Sequence, residues 1–224
     1  MFLGPSGIGK TTLAKFVEKE YGIPFISGSY SDLLPSTRGE KHVDMLQKDK
    51  IILYSEEHQL LTLRAKKFGG SGSFVSDRSY VDNLTYFMLK LSQNVKQCDT
   101  TAFRDNCIQL LDRDCTHLIY VPYTDDMIGV WEVEDNDKRV TNIFYQWQVS
   151  QIMNGLLRYL GYTRSWLYRI LFRINSGVMY PRCAISGNNQ CKLHNHRPIK
   201  VLVLDSSDRG KRENDIRRFL WGVK

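Results

Sequence analysis

Apolar residues recur along this chain in two rhythms. Helical spacing first appears at Leu13, Ala14, Phe16 and Val17, and it ends near Tyr21-Gly22, where glycine is a common helix stop. It returns over about residues 50–67, where Ile52, Leu53, Leu60, Leu61 and Leu63 fit one broad face. Phe68-Gly69-Gly70-Ser71-Gly72 breaks that pattern. A third helix is expected from Tyr80, with Leu84, Phe87, Met88 and Leu91 facing inward. Further helices are expected over 100–113, about 140–160 and 214–221. Short apolar runs separate them and read as strands. These are Pro24-Phe25-Ile26-Ser27, Ser73-Phe74-Val75-Ser76, residues 117–121 before Pro122, and residues 199–204. Met1-Phe2-Leu3 is either a very short first strand or the remainder of one that starts earlier. Residues 28–35 and 205–212 read as polar loops, and Arg38, Glu40, His42 and Asp44 lead into the second helix. The alternation of strands and helices predicts a three-layer α/β domain. Its parallel sheet would have about five strands, with helices on both faces.

Between the first apolar run and the first helix stand Gly4, Pro5, Ser6, Gly7, Ile8, Gly9, Lys10 and Thr11, followed by Thr12. They fit G-x-x-x-x-G-K-[ST] without a mismatch. Glycines let the backbone wrap closely around a phosphate, and several positions of such a loop need positive φ. The N–H groups then point inward, and the helix that follows adds the positive end of its dipole. Lys10, expected at the surface of the site, would reach the β- and γ-phosphates. Thr11 would place its hydroxyl on Mg²⁺. The alternative is a glycine-rich turn before a helix, with no ligand.

A second candidate lies where the 73–76 run enters Asp77-Arg78-Ser79. A carboxylate at the end of a strand beside a phosphate loop can hold Mg²⁺ or orient an attacking hydroxyl. A strand-end turn with a surface ion pair is the plainer reading. Ser79 and Asp82 also have the spacing of a helix cap and its reciprocal partner.

Charge changes the picture more than composition does. The net charge is +7 over 224 residues, but it is uneven. Residues 158–224 hold 14 Lys and Arg against 4 Asp and Glu, a balance of +10, while the rest hold 17 against 20, a balance of −3. A basic tail on a mildly acidic body suggests a polyanionic partner such as DNA. A solvated basic face is the alternative. Residues 161–198 interleave Arg164, Arg169, Arg173 and Arg182 with Tyr162, Trp166, Tyr168, Phe172 and Tyr180. This could be a nucleic-acid-binding arm or a packing face with a charged rim. In the same stretch Cys183, Cys191, His194 and His196 have the residue types of zinc ligands, but their spacing matches no standard zinc module. No apolar run approaches the ~20 residues that span a bilayer, so no membrane partner is expected. The five cysteines are read as reduced thiols in a cytoplasm.

With these residues in view, the chain resembles P-loop nucleoside and nucleotide kinases. The 4–11 loop matches their ATP loop. Asp77-Arg78-Ser79 resembles the [DE]-R-[SYFH] signature of thymidylate and deoxynucleoside kinases, and residues 79–86 are similar to nicotinamide-riboside-kinase-like domains. The resemblance implies one kinase domain over 1–224, with 161–198 as a basic insertion before the last strand. It implies ATP and Mg²⁺ as cofactors and phosphoryl transfer to a hydroxyl. Arg78 would hold acceptor or phosphoryl oxygens. Lys138 and Arg139 sit where such kinases often carry a lid, and Arg139 is the candidate cation for the transferred group; an exposed charge at a helix start is the alternative. The loop after the last strand flanks adenine in such kinases, which makes Arg209 a candidate nucleotide contact. More narrowly, the opening loop, residues 29–35 and residues 42–46 resemble phage kinases of thymidine hypermodification. Those enzymes phosphorylate 5-hydroxymethyluracil in DNA, which would place this chain in a host cytoplasm. Asp32 is then a candidate base near the acceptor, with a turn-forming aspartate as the alternative. A small-molecule nucleoside or nucleotide kinase, and a nucleotide-dependent switch on nucleic acid, are the competing functions.

Overall fold

Both faces of a small parallel sheet are covered, and this follows from alternation in very short strands. The computed structural model describes residues 1–34, 50–91, 95–123, 143–159 and 199–221. Three strands form the ladder in the order β1 (Phe2–Leu3), β2 (His117–Tyr120), β3 (Lys200–Val203), all parallel. Phe2 stands opposite Ile119, and Tyr120 opposite Val203. Beyond β1 the sheet continues through two extended stretches that are joined by a single parallel bridge, Phe25 to Val75. The N–H of Phe2 donates to the carbonyl of Ser76 at 2.8 Å, and that of Ile26 to the carbonyl of Val75 at 2.8 Å. The expected five strands are therefore three strands and two bridge-paired stretches.

Seven helices are seen among the described residues: α1 (Lys10–Tyr21), α2 (Tyr30–Leu33), α3 (Lys50–Gly69), α4 (Tyr80–Leu91), α5 (Gln97–Asp114), α6 (Ile143–Tyr159) and α7 (Arg209–Trp221). Side chains alternate across a strand, so neighbouring residues enter different cores. Leu3, Leu118, Tyr120 and Ile199 pack with Leu61, Phe87, Phe103 and Met153 from α3 to α6. Phe2, Ile119, Val121 and Leu204 pack with Leu13, Val17 and Ile216 from α1 and α7. That makes an α/β fold with a small parallel sheet between two helical layers. No helix of the described residues is long and apolar enough to cross a membrane.

Several expectations need correction. Ile52 is exposed; the buried stripe of α3 is Leu53, Glu57, Leu60, Leu61, Arg64 and Phe68. Two charged residues therefore lie on its inner face. The polar stretch 28–35 contains the one-turn α2, capped by Ser29, whose Oγ accepts from the Asp32 N–H. The loop expected over 205–212 ends early. Asp208 caps α7 by accepting from the Lys211 N–H at 2.6 Å, which puts Arg209 in the first helical turn. Arg38, Glu40, His42 and Asp44, the 42–46 segment, Lys138 and Arg139, the 161–198 arm and the Cys183, Cys191, His194, His196 set lie outside the described residues.

Candidate functional site

The loop from Gly4 to Thr11 leaves the buried end of β1 and enters α1 at Lys10. Gly7 and Gly9 sit at φ 83° and 85°, the left-handed region that glycine reaches without strain. Gly9 is the cap of α1, and no side chain caps the helix. The dipole of α1 favours an anion at this end. Ile8 is 2% exposed and anchors the loop in the α1–α7 core, so only its backbone serves the site.

Lys10 is not at the surface, as expected, but buried. Its Nζ donates to the carbonyls of Gly4, at 2.6 Å, and Pro5. The ammonium is held where the loop's carbonyls turn away from its N–H groups, because a buried charge needs partners. Next to it, the Thr11 hydroxyl donates to Asp77 Oδ2 at 2.6 Å across 66 positions of sequence. Asp77 Oδ1 accepts from the Gly28 N–H at 3.2 Å. A hydroxyl and a buried carboxylate meeting at the mouth of an N–H-rich loop are hard oxygen donors, a set that fits Mg²⁺. Thr12 is exposed on the outer side.

Gly28 allows this approach. A Cβ there would lie 2.8 Å from Arg78 Cβ and 3.2 Å from Phe68 Cζ. Arg64 fixes the same point from α3. It is 3% exposed and donates to the carbonyls of Gly28 and Ser79 and to Asn83 Oδ1. Burial lowers its pKa, against the opposing pull of Asp82 and Glu57. Ser79 and Asp82 do form the reciprocal cap. Asp82 Oδ2 accepts from the Ser79 N–H at 2.8 Å and its hydroxyl at 2.9 Å, while Ser79 Oγ accepts from the Val81 N–H. Arg78 pairs with Asp82 Oδ1 at 3.2 Å and lies 5.9 Å from the Tyr86 ring centre.

Tyr86 turns its hydroxyl to Ser6 of the loop at 3.4 Å. Lys90 lies 5.8 Å from the Tyr86 ring and 5.4 Å from that of Tyr30, and it pairs with buried Glu57 at 2.8 Å. The second oxygen of Glu57 has no hydrogen-bond partner among the described residues. Asp32 is exposed in α2, where its carboxylate accepts from the Ser27 hydroxyl at 2.5 Å, next to the Gly28 that serves Asp77. Arg209 pairs with Glu213 at 2.8 Å and lines a groove of about 510 Å³ with Thr11, Thr12, Lys15, Glu213 and Arg217.

The structure thus joins Lys10, Thr11, Asp77, Arg78 and the loop in one place, with Asp32 and Arg209 at its two flanks. Sequence reading missed Glu57, Arg64, Tyr86 and Lys90. A signal existed for two of them: Glu57 and Arg64 interrupt the α3 stripe at core-facing positions.

A phosphate loop at the end of a buried strand, with a carboxylate on its threonine, defines a P-loop nucleotide-binding α/β domain. Within that class the chain belongs to the family described as AAA domain, which matches residues 1–165. Its fold is similar to a solved deoxyadenosine kinase from M. mycoides with bound dCTP. The TM-score is 0.60 at 14% identity, over 99% of this chain and 98% of that one. At such identity the likeness is one of fold, that of a deoxynucleoside kinase. No curated protein matches the chain in sequence.

Proposed function

We propose that the chain is an ATP-dependent kinase that moves the γ-phosphate to a hydroxyl of a nucleotide-type acceptor. The observation that carries this reading is the 2.6 Å contact between Thr11 and Asp77 at the mouth of the loop. It supports a site that holds triphosphate on backbone N–H groups and metal on oxygen. In this reading Lys10 turns from the Gly4 and Pro5 carbonyls to the β- and γ-phosphates. Thr11 and Asp77 hold Mg²⁺, which neutralises phosphate charge when bound. Arg78 orients acceptor or phosphoryl oxygens, Asp32 takes the proton of the attacking hydroxyl, and Arg139, outside the described residues, is the candidate cation for the transferred group. Arg209 and Thr12 meet the nucleoside end of ATP in the groove between α1 and α7. Positioning and charge neutralisation carry most of the rate.

For the acceptor we favour the 5-hydroxymethyl group of 5-hydroxymethyluracil in DNA, with residues 161–198 as a basic arm of one kinase domain. The +10 balance of residues 158–224 supports this, together with the resemblance of the 29–35 and 42–46 segments. A small deoxynucleoside acceptor is the second reading, favoured by the fold of the deoxyadenosine kinase. Labelled ATP separates them. Label entering only DNA that contains hydroxymethyluracil supports the first, and label entering free nucleosides or monophosphates supports the second. Hydrolysis with no labelled acceptor rejects both and leaves a nucleotide switch. If the arm binds DNA, neutralising Arg164, Arg169 and Arg173 lowers the log–log salt slope of binding by about 0.9 per lost phosphate contact. An unchanged slope in a folded variant rejects the arm.

A further inference from the structure

Arg212 belongs to none of the roles above, yet it is 4% exposed in a helix that otherwise shows its charges to water. It reaches two loops at once. Its Nη1 donates to the carbonyl oxygen of Ile8 in the phosphate loop at 3.1 Å, across 204 positions of sequence. Its Nε donates to the carbonyl oxygen of Ser206, in the segment between β3 and α7.

The backbone that carries Arg212 is anchored on both sides. On the N-terminal side, Asp208 accepts from the Lys211 N–H through its carboxylate and from the Arg212 N–H through its carbonyl at 3.1 Å. The Asp208 N–H in turn donates to Ser206 Oγ at 3.2 Å. One turn further on, Ile216 is fully buried in the core that also holds the Ile8 side chain. The groove lined by Thr11, Thr12 and Arg209 draws its walls from the two helices, α1 and α7, that these contacts tie to the phosphate loop.

We infer that Arg212 is a positioning residue for the donor nucleotide: it fixes the spacing between the phosphate loop and the start of α7, which carries Arg209 to the groove, so triphosphate and nucleoside are held as one unit. This rests on the nucleotide-site reading above. The guanidinium suits the task because its donors form a rigid planar fork that can serve two carbonyls in fixed directions. A phosphate loop binds a bare polyphosphate through its own N–H groups. The added affinity for the nucleoside requires a second surface held in register with the first. Arg212 therefore controls how much better ATP binds than inorganic tripolyphosphate.

The test is calorimetric titration of ATP and of tripolyphosphate, each with Mg²⁺, into the wild-type chain, Arg212→Met and Arg212→Lys. The preference for ATP should fall by at least about tenfold in Arg212→Met, the scale of one charged hydrogen bond. Arg212→Lys should retain part of it, since an ammonium reaches one carbonyl. Arg209→Ala should combine with Arg212→Met less than additively, because both act on the nucleoside end. Equal weakening of both ligands in a folded variant, with the preference unchanged, would overturn the inference and leave Arg212 a structural residue. If Arg212→Met does not fold, the same reading of Arg212→Lys decides. A wild-type chain that binds neither ligand refutes the nucleotide site itself, whereas one that binds both equally refutes only the role of Arg212.

Discussion

The two sides of the site are built in opposite ways. The donor side is made of consecutive residues: Gly4 to Thr11 carry the phosphate cradle in backbone N–H groups, and one helix supplies the dipole. The facing side, which the proposed function makes the acceptor side, is assembled from Tyr30, Glu57, Arg64, Arg78, Tyr86 and Lys90, which come from three helices and a strand-end turn. The donor side buries one ammonium, that of Lys10, and satisfies it with carbonyls of its own loop. The acceptor side puts charges in the interior, and each must find a partner there. Changes on the donor side should therefore act mainly on the reaction, and changes on the acceptor side should weigh more heavily on the fold.

The largest expected effect tests the donor half. Lys10→Ala should lower phosphoryl transfer by at least about a thousandfold, measured as turnover with labelled ATP. Since the ammonium also serves the Gly4 and Pro5 carbonyls, about 1–2 kcal/mol of stability should go with it, seen by urea denaturation. Turnover above a tenth of wild type would remove the loop from the mechanism.

Asp77→Asn should lower turnover by more than about tenfold while the ATP dissociation constant stays within about threefold. The amide oxygen still accepts from Gly28 or Thr11, so the fold should survive and only the charge is lost. Equal losses in both quantities would make Asp77 a binding strut instead.

On the acceptor half, Lys90→Met should cost about 3–5 kcal/mol, because it leaves the Glu57 carboxylate buried without its cation. Adding Glu57→Leu should restore most of that. The exposed Arg209–Glu213 pair on the donor side should contribute under about 1 kcal/mol in the same assay. If the two pairs cost the same, the contrast in construction has no energetic content.

The smallest effect is on pH dependence. Burial lowers the pKa of His58, against opposing effects of Asp99 and Glu57, and its Nε2, buried near the rings of Tyr54, Phe87 and Phe103, has no hydrogen bond among the described residues. His117 moves the same way, through burial and then Lys200 and the N-terminal ammonium. Above about pH 6.5 both are neutral, folded or unfolded. Below it the unfolded chain takes up protons first, so stability falls as the pH drops through the folded values. Thermal melts between about pH 7 and pH 5 should show this loss, smaller in His58→Phe. An identical profile in that variant would assign the dependence elsewhere.

How far the sequence could be read follows the same division. The 4–11 loop, the cap at Ser79–Asp82 and the strands at 117–121 and 199–204 are local, and the structure has them where spacing put them. The start of α7 was misjudged because Asp208, Arg209 and Lys211 look like loop residues until Asp208 is seen as a cap. Lys10 was misplaced for a related reason: whether an ammonium faces solvent or turns to nearby carbonyls depends on how the loop folds over it.

The sequence by itself determined the phosphate loop. A phosphate cradle needs only φ freedom and consecutive N–H groups, and both are properties of neighbours in the chain. It also determined that strands and helices alternate, since burial of a strand or one helix face leaves a period in the residues. Tertiary structure alone decided which distant side chains complete the site. The Thr11–Asp77 contact, the hold of Arg64 on Gly28, the Glu57–Lys90 pair and the reach of Arg212 to Ile8 join residues 66, 36, 33 and 204 positions apart. Periodicity carries no record of such pairs. A buried charge is stable only where the packed fold brings it a partner, and that partner is chosen by the packing of α3, α4 and α7 around the sheet.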